Sequence, residues 1–175
     1  STTLVITLLL APLAAVQTEG RPPSDFQSLV RTETWTEVVS GTSGKVETRS
    51  ITAEIWTQAM KAALDVQGSL HIPARENPYY LDGPLVLKSG HKLSADPRAE
   101  IRLKPGCNTC MVRNEHVVNL NTKPVPADLP LDTDIHIEGG IWTTLANIVS
   151  SNGNELGRSS KENPVFGTHG VILLQ

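Results

Sequence analysis

Two spacings of apolar residues divide the chain at Gly68. Before this glycine, apolar residues between Ile51 and Leu64 recur three or four positions apart and form one stripe, which is the pattern of an amphipathic helix. Ser50 is a candidate N-cap of this helix, and Gly68 is a candidate C′ residue. The spacing therefore predicts a helix over 50–67.

Beyond Gly68 the apolar residues follow a period of two. Segments of three to seven residues, such as SLHIP, PLVLK and AEIRLK, are separated by Pro, Gly, Asn or Asp, which is typical of short strands joined by turns. In the first of them, Leu70 and Ile72 should face one side of the strand and His71 the other. No helical pattern interrupts this half of the chain, which argues against a doubly wound α/β fold.

The centres of four similar strand segments recur at a nearly constant interval. Leu70, Leu93, Val117 and Ile137 are separated by 23, 24 and 20 residues, a length that suits one coil of a parallel β-helix. A coil cannot bury its inward face alone, so coils stack, and the helix over 50–67 would cap the exposed end of the stack. The sequence thus predicts an all-β fold, a parallel β-helix (solenoid) with an N-terminal capping helix. A β-sandwich with strands of similar length is the alternative.

An apolar run over 4–16 is followed by polar, proline-containing residues. The run contains Pro12 and ends in small residues, as the apolar region and cleavage zone of a secretory signal peptide do; a buried N-terminal strand or helix is the alternative. We therefore assign 1–17 to a truncated signal peptide, 18–49 to an N-terminal extension and 50–175 to the first coils of the β-helix. This assignment predicts a secreted or periplasmic protein.

Composition narrows the class of protein further. The 175 residues include 15 Lys and Arg against 18 Asp and Glu, for a formal net charge of −3, and they contain no basic run, so no nucleic-acid partner is expected. The 39% hydrophobic and 19% charged residues exclude a disordered tail. No apolar run reaches the roughly 20 residues that a bilayer span needs, so no integral membrane span is expected.

Three motifs resemble the opening of pectin-lyase-like right-handed parallel β-helix proteins. The residues after the predicted helix match the G-x-[VIL]-x-[IVL]-P strand of that superfamily, and a G-P-L-x-L-x-S strand follows. Later, DIHIEGGIWTT resembles the I-x-G-G-x-W element of the polygalacturonase-like branch, glycoside hydrolase family 28. The matching residues are Gly68, Leu70, Ile72 and Pro73, then Gly83, Pro84, Leu85, Leu87 and Ser89, and finally Ile137, Gly139, Gly140 and Trp142.

The resemblance implies hydrolysis of glycosidic bonds in an acidic, pectin-like polysaccharide by an inverting mechanism with two carboxylates and no cofactor. The catalytic motifs of the branch are not matched. Asp132-Thr133-Asp134 has Asp in place of the Asn of Asn-Thr-Asp, and Gly167-Thr168-His169-Gly170 has an extra Thr within Gly-His-Gly. No catalytic residue is therefore assigned, and the catalytic acids are expected beyond Gln175. The alternatives are a polysaccharide lyase of the same fold and a non-catalytic carbohydrate-binding or structural β-helix surface protein.

Trp142 is the candidate substrate-binding residue, because it follows two glycines and an indole can stack on a sugar ring. A core position is the alternative. Glu138, in the same segment, is expected to face solvent, with His136 on the same side only if a bulge intervenes. The five histidines show no ligand spacing, so no metal site is predicted.

Cys107 and Cys110 form a CxxC pair after a Lys-Pro-Gly turn. In an exported chain we expect a tight local disulfide between them, with two small core residues as the alternative.

Overall fold

The alternating segments become strands, and part of the helical stripe becomes one α-helix. The structure, a computed structural model, describes residues 20–40, 46–117, 127–145, 154 and 172–173; the predicted signal peptide, 1–17, lies outside them. The N-terminal part contains a 3₁₀ helix (Pro23–Leu29), β1 (Arg31–Ser40), β2 (Val46–Ile55) and α1 (Thr57–Gln67). The strands that follow are β3 (Ser69–Ile72), β4 (Tyr79–Leu81), β5 (Leu85–Leu87), β6 (Lys92–Leu103), β7 (Val112–Asn114), β8 (His136–Thr143) and β9 (Ile172–Leu173).

Strands β3 to β9 form three tiers that are joined by parallel pairing. The first tier comprises β3, β4 and β5, the second β6 and β7, and the third β8 and β9. The long strand β6 pairs with both β3 and β4, so that Ser69 lies opposite Lys92 and Tyr79 lies opposite Ile101. Strand β8 pairs with the other edge of β6, while β5, β7 and β9 form a second parallel sheet. Equivalent positions in the first two tiers are 22 to 27 residues apart.

The predicted repeat is confirmed at three of its four positions. Leu70 lies opposite Leu93, and Leu93 lies opposite Ile137, in one continuous ladder. Val117 is the exception, because it follows the turn after β7 and lies in no strand. Leu93 and Ile137 therefore lie in neighbouring tiers, and an insertion between β7 and β8 lengthens the sequence interval between them.

The inward-facing residues of the tiers form one apolar core. Along β3, Leu70 and Ile72 are buried while His71 is not, as the alternation predicts. The apolar face of α1, which includes Met60 and Leu64, belongs to the same core, and α1 contacts β3 and β5. The helix therefore covers the first tier.

The N-terminal hairpin extends the larger sheet. Strands β1 and β2 pair antiparallel, with Arg31 opposite Ile55, and β2 joins β4 in parallel where Ile55 lies opposite Tyr80. Arg21 forms an isolated parallel bridge with Leu70 of β3. The residues before α1 thus pair with the outer edge of the first tier.

The helix prediction is wrong about where the helix begins. Ser50 is an exposed residue of β2 rather than an N-cap, and α1 begins at Thr57. The apolar residues Ile51 and Ile55 are four positions apart, and this spacing fits a helical period and a strand period equally well. Gly68 ends the helix as predicted, with a φ of 66° and its N–H donating to the Leu64 carbonyl at 2.7 Å. No helix in the described part of the chain is long and apolar enough to cross a membrane.

Candidate functional site

The outer face of the β3–β6–β8 ladder carries polar side chains in two rows. One row consists of Ser69, Lys92 and His136, and the next of His71, Ser94 and Glu138. These six residues share one side of the sheet because the residues between them, Leu70, Leu93 and Ile137, pack against the core. We call the six residues the polar face.

On the polar face, His71 lies between a hydroxyl and a carboxylate. Its Nδ1 is 3.0 Å from the Oγ of Ser94, and its Nε2 is 3.5 Å from Oδ1 of Asp96. The other oxygen of Asp96 accepts a hydrogen bond of 2.8 Å from the backbone N–H of Ala74, which holds the carboxylate beside the imidazole. The side chains of His71 and Asp96 are 27% and 42% exposed, so a ligand can reach both.

A second histidine–carboxylate pair lies on the third strand of the polar face. The Nε2 of His136 is 3.2 Å from Oε2 of Glu138, and both side chains are exposed. The expectation that a bulge would be needed to place them on one side is wrong, because the register with β6 is unbroken from His136 to Gly139. Residues two positions apart in a strand share a face without any irregularity.

The polar face carries a positive charge at Lys92 and a negative charge at Glu138. The described lysines that form ion pairs are Lys88, with Asp65, and Lys104, with Glu33. Lys92 is exposed and pairs with no acid among the described residues. An exposed ammonium group without a partner is available to an anionic ligand.

Away from the polar face, a buried carboxylate ties the insertion before β8 to the end of β7. Asp132 Oδ1 accepts a hydrogen bond of 2.8 Å from His116 Nδ1, and its Oδ2 accepts from the His116 N–H at 3.0 Å and from Asn114 Nδ2 at 2.8 Å. The Asp132 side chain is 2% exposed. Burial raises the pKa of Asp132, but the hydrogen bonds outweigh burial and leave the pKa below its ordinary value.

Glu115, His116 and Asp132 could also hold a divalent cation with nitrogen and oxygen ligands. One ligand atom from each lies within 4.8 Å of the others, and this donor set suits Zn²⁺ and related ions. No spacing in the sequence groups these residues, because the insertion separates Asp132 from the two others. Both oxygens of Asp132 already accept hydrogen bonds from Asn114 and His116, so the arrangement is complete as a structural clasp.

The Asp-Thr-Asp motif does not bring two carboxylates into one environment. Asp132 is buried in the clasp, whereas Asp134 is exposed and has a φ of 56°. Two carboxylates that cooperate in glycoside hydrolysis must flank the same bond. The motif therefore ties the insertion to the core. His169 of the Gly-Thr-His-Gly motif, and Glu155, another acid expected near the last coils, lie outside the described residues.

Trp142 packs against the core without being buried in it. Its ring is half-buried against the core, and its Nε1 donates a hydrogen bond of 2.9 Å to the Gly139 carbonyl. A Cβ at Gly139 would stand 1.9 Å from the Ala95 carbonyl oxygen, and the φ of Gly139 is 73°. The glycines of the Gly-Gly-x-Trp element therefore let β8 lie close to Ala95 of β6, where the register between the two strands shifts. A contact between Trp142 and a sugar stays a prediction.

Cys107 and Cys110 are free thiols, so the structure does not contain the predicted disulfide. Cys110 is buried and Cys107 packs against the core, while the chain between them turns through Asn108 at a φ of 44°. Cys110 is thus a core residue and Cys107 a partly buried one, and a disulfide between them stays a prediction. Burial raises the pKa of Cys107 to about 11 and also raises that of Cys110, so neither thiol is a ready nucleophile near neutral pH.

A groove of about 400 Å³ lies between the hairpin and the loop before β4. Its only arginine, Arg75, donates to Glu54 at 2.7 Å and to the carbonyls of Asn77 and Pro78. The same guanidinium lies over the rings of Trp56 and Tyr79, at 4.6 and 4.2 Å from their centroids. Because these contacts occupy the guanidinium, the groove has less capacity to bind an anion than the polar face has.

Comparison of the chain with protein-family models, with curated proteins and with solved structures finds no match in any of the three. The geometry of the polar face, and its contrast with the buried clasp, are therefore the observations from which a function can be inferred.

Proposed function

We propose that the chain forms the first coils of a right-handed parallel β-helix and that its polar face binds an acidic, pectin-like polysaccharide. Parallel pairing between tiers, at intervals of 22 to 27 residues in the first two, supports the β-helix. Crossovers between parallel strands are right-handed in nearly all folds. Among the strand pairs that the structure describes, only β1 and β2 are antiparallel, which favours this fold over the sandwich.

The single observation that carries the proposed function is the continuity of the polar face across three strands. Neighbouring strands lie about 4.8 Å apart, so the two rows form a ribbon along which an extended saccharide chain can lie. Lys92 supplies a positive charge for a uronate carboxylate, and Ser69, Ser94 and the two imidazoles supply hydrogen bonds to hydroxyls.

We place the hydrolytic step of the proposed glycosidase outside the polar face. An inverting hydrolase needs an acid and a base carboxyl group roughly 6.5–9.5 Å apart with room for a water between them. On the polar face, Glu138 is engaged with His136, and nearby Asp96 is engaged with His71 and Ala74. Neither acid is therefore given a role in glycoside cleavage, and the catalytic pair is proposed to lie in coils after Gln175.

A binding titration with two lysine variants tests this function. Oligogalacturonate should bind the 175-residue chain, and Lys92→Ala should weaken binding about tenfold, since one charge-assisted contact contributes roughly 1.5 kcal/mol. Lys61→Ala, a substitution on α1, is the matched control and should leave the affinity unchanged. Equal affinities for Lys92→Ala and the parent chain, or no binding by the parent chain, would reject the polar face as the saccharide site.

An assay for cleavage separates the alternatives. The chain alone should bind without turnover, whereas a hydrolase releases reducing ends and a lyase also produces an unsaturated, ultraviolet-absorbing end. Release of reducing ends by the chain alone would contradict the placement of the catalytic acids after Gln175. If a longer chain also binds without releasing reducing ends, the protein is a binding module.

A further inference from the structure

We propose that Ser94, His71 and Asp96 form a second site on and beside the polar face, which hydrolyses esters of small acyl groups with Ser94 as the nucleophile. Ester hydrolysis belongs to a different reaction class from cleavage of glycosidic bonds. The inference therefore does not depend on the proposed glycosidase function.

The three side chains have the connectivity that an activated serine requires. The Oγ of Ser94 is 3.0 Å from one imidazole nitrogen of His71, which is within reach for a base to take its proton. The other nitrogen is 3.5 Å from Asp96, whose second oxygen is fixed by the Ala74 N–H. The carboxylate can thus hold the imidazole in one orientation and stabilise the imidazolium that forms during the reaction.

The backbone holds the nucleophile and the base in fixed positions. His71 and Ser94 are direct partners in the β3–β6 ladder, and the residues on either side of them, including Leu70, Ile72 and Leu93, are fully buried. A site on paired strands above a packed core is more precisely held than a site on loops.

The site is also open to a substrate and has a cation beside it. Ser94 and His71 are half-exposed on the outer face, so a carbonyl carbon can approach the Ser94 Oγ. Lys92 lies two residues before Ser94 and on the same face of β6. Its ammonium group, which pairs with no acid among the described residues, can stabilise the oxyanion that develops on the carbonyl oxygen.

The proposed reaction is balanced without a cofactor. The Ser94 Oγ attacks the ester carbonyl carbon while its proton passes to Nδ1 of His71. The tetrahedral intermediate then breaks the bond to the alcohol oxygen, which takes the proton from His71 and leaves as the alcohol. Water attacks the acyl-Ser94 ester by the same route, so that the products are one alcohol and one carboxylic acid, and Ser94 regains its proton.

Hydrolysis of p-nitrophenyl acetate by the 175-residue chain tests the nucleophile. Ser94→Ala should reduce the rate above background by at least about 100-fold, while Ser50→Ala, a substitution at an exposed strand serine of β2, should retain the parent rate. Diisopropyl fluorophosphate should add its phosphoryl group to the peptide that contains Ser94. A parent rate equal to background, equal rates for the two variants, or label on another residue would overturn the proposal.

Asp96 acts as a positioning residue, and its variants give a separate readout. Asp96→Asn should lower kcat about 100-fold with little change in KM, and Asp96→Glu should restore part of the rate. A rise in KM with an unchanged kcat would show that Asp96 contributes only to substrate binding or to the fold. If oligogalacturonate still binds while no variant alters ester hydrolysis, this inference fails and the proposed saccharide site stands.

Discussion

Two histidine–aspartate pairs in this molecule have the same chemistry and different surroundings. Asp132 is 2% exposed, and its oxygens accept three hydrogen bonds from His116 and Asn114. Asp96 is 42% exposed, accepts one backbone hydrogen bond and lies 3.5 Å from His71, which also contacts a serine hydroxyl. The buried carboxylate of Asp132 is saturated with hydrogen bonds and stabilises the fold, whereas the exposed carboxylate of Asp96 can be reached by a ligand.

Removing the two carboxylates should separate these roles most clearly. Asp132→Ala removes the buried carboxylate that accepts three hydrogen bonds, from Asn114 Nδ2 and from the N–H and Nδ1 of His116, and should lower the free energy of unfolding by about 2–4 kcal/mol. Asp96→Ala removes an exposed pair and should cost less than about 1 kcal/mol. Urea unfolding of both variants measures the difference, and equal losses would show that the two pairs are not distinct.

The histidine partners should show the same contrast with a smaller effect. His116→Gln removes the Nδ1–H that Asp132 accepts and should lower the free energy of unfolding by about 1–1.5 kcal/mol. His71→Gln should change it by less than about 0.5 kcal/mol, because the Asp96 carboxylate is exposed and lies 3.5 Å from the imidazole. The comparison fails if urea unfolding finds His71→Gln to be the more destabilising variant.

Acid should destabilise the protein in two separate pH ranges, and His91 acts in the higher of the two. Burial, and then the nearby Lys88, lower the pKa of His91, and Asp65 and Glu115 oppose this shift only in part. The unfolded chain binds the proton first, at about pH 6.5, so stability is complete above that pH and falls as the pH decreases through the folded pKa. The lowered pKa of Asp132 instead contributes stability above about pH 3.9 that is lost at still lower pH.

Urea unfolding at a series of pH values checks both ranges. His91→Phe should flatten the dependence below about pH 6.5, and Asp132→Asn should flatten the dependence below about pH 3.9. A dependence that His91→Phe leaves unchanged would assign the higher range to another group.

The repeat in the sequence also predicts part of the polar face. The repeat that relates Leu70 to Leu93 also places His71 opposite Ser94, so applying it to polar residues would have paired them. The contact between His71 and Asp96 could not be placed in this way, because the β3–β6 ladder ends at Ile72 and Ala95, one residue before Asp96. A repeat predicts contacts between paired strand residues, but it does not predict contacts beyond the end of the pairing.

The clasp at Asp132 shows a different limit of sequence patterns. His116 and Asp132 lie in an insertion, and the described residues Glu115, His116 and Val117 at its start form no strand. Their contact depends on how the insertion folds back on β7, which no local spacing encodes. The start of α1 was missed for a related reason, since the spacing between Ile51 and Ile55 fits a strand and a helix alike.

The most direct test of a functional polar face is a titration of the isotopically labelled chain with oligogalacturonate, followed through its backbone amide NMR shifts. We predict that the largest shifts fall on Ser69, His71, Lys92, Ser94, His136 and Glu138, and that Asn114, His116 and Asp132 do not move. Shifts centred on the Asp132 clasp, or on the groove beside Arg75, would contradict the assignment of function to the polar face.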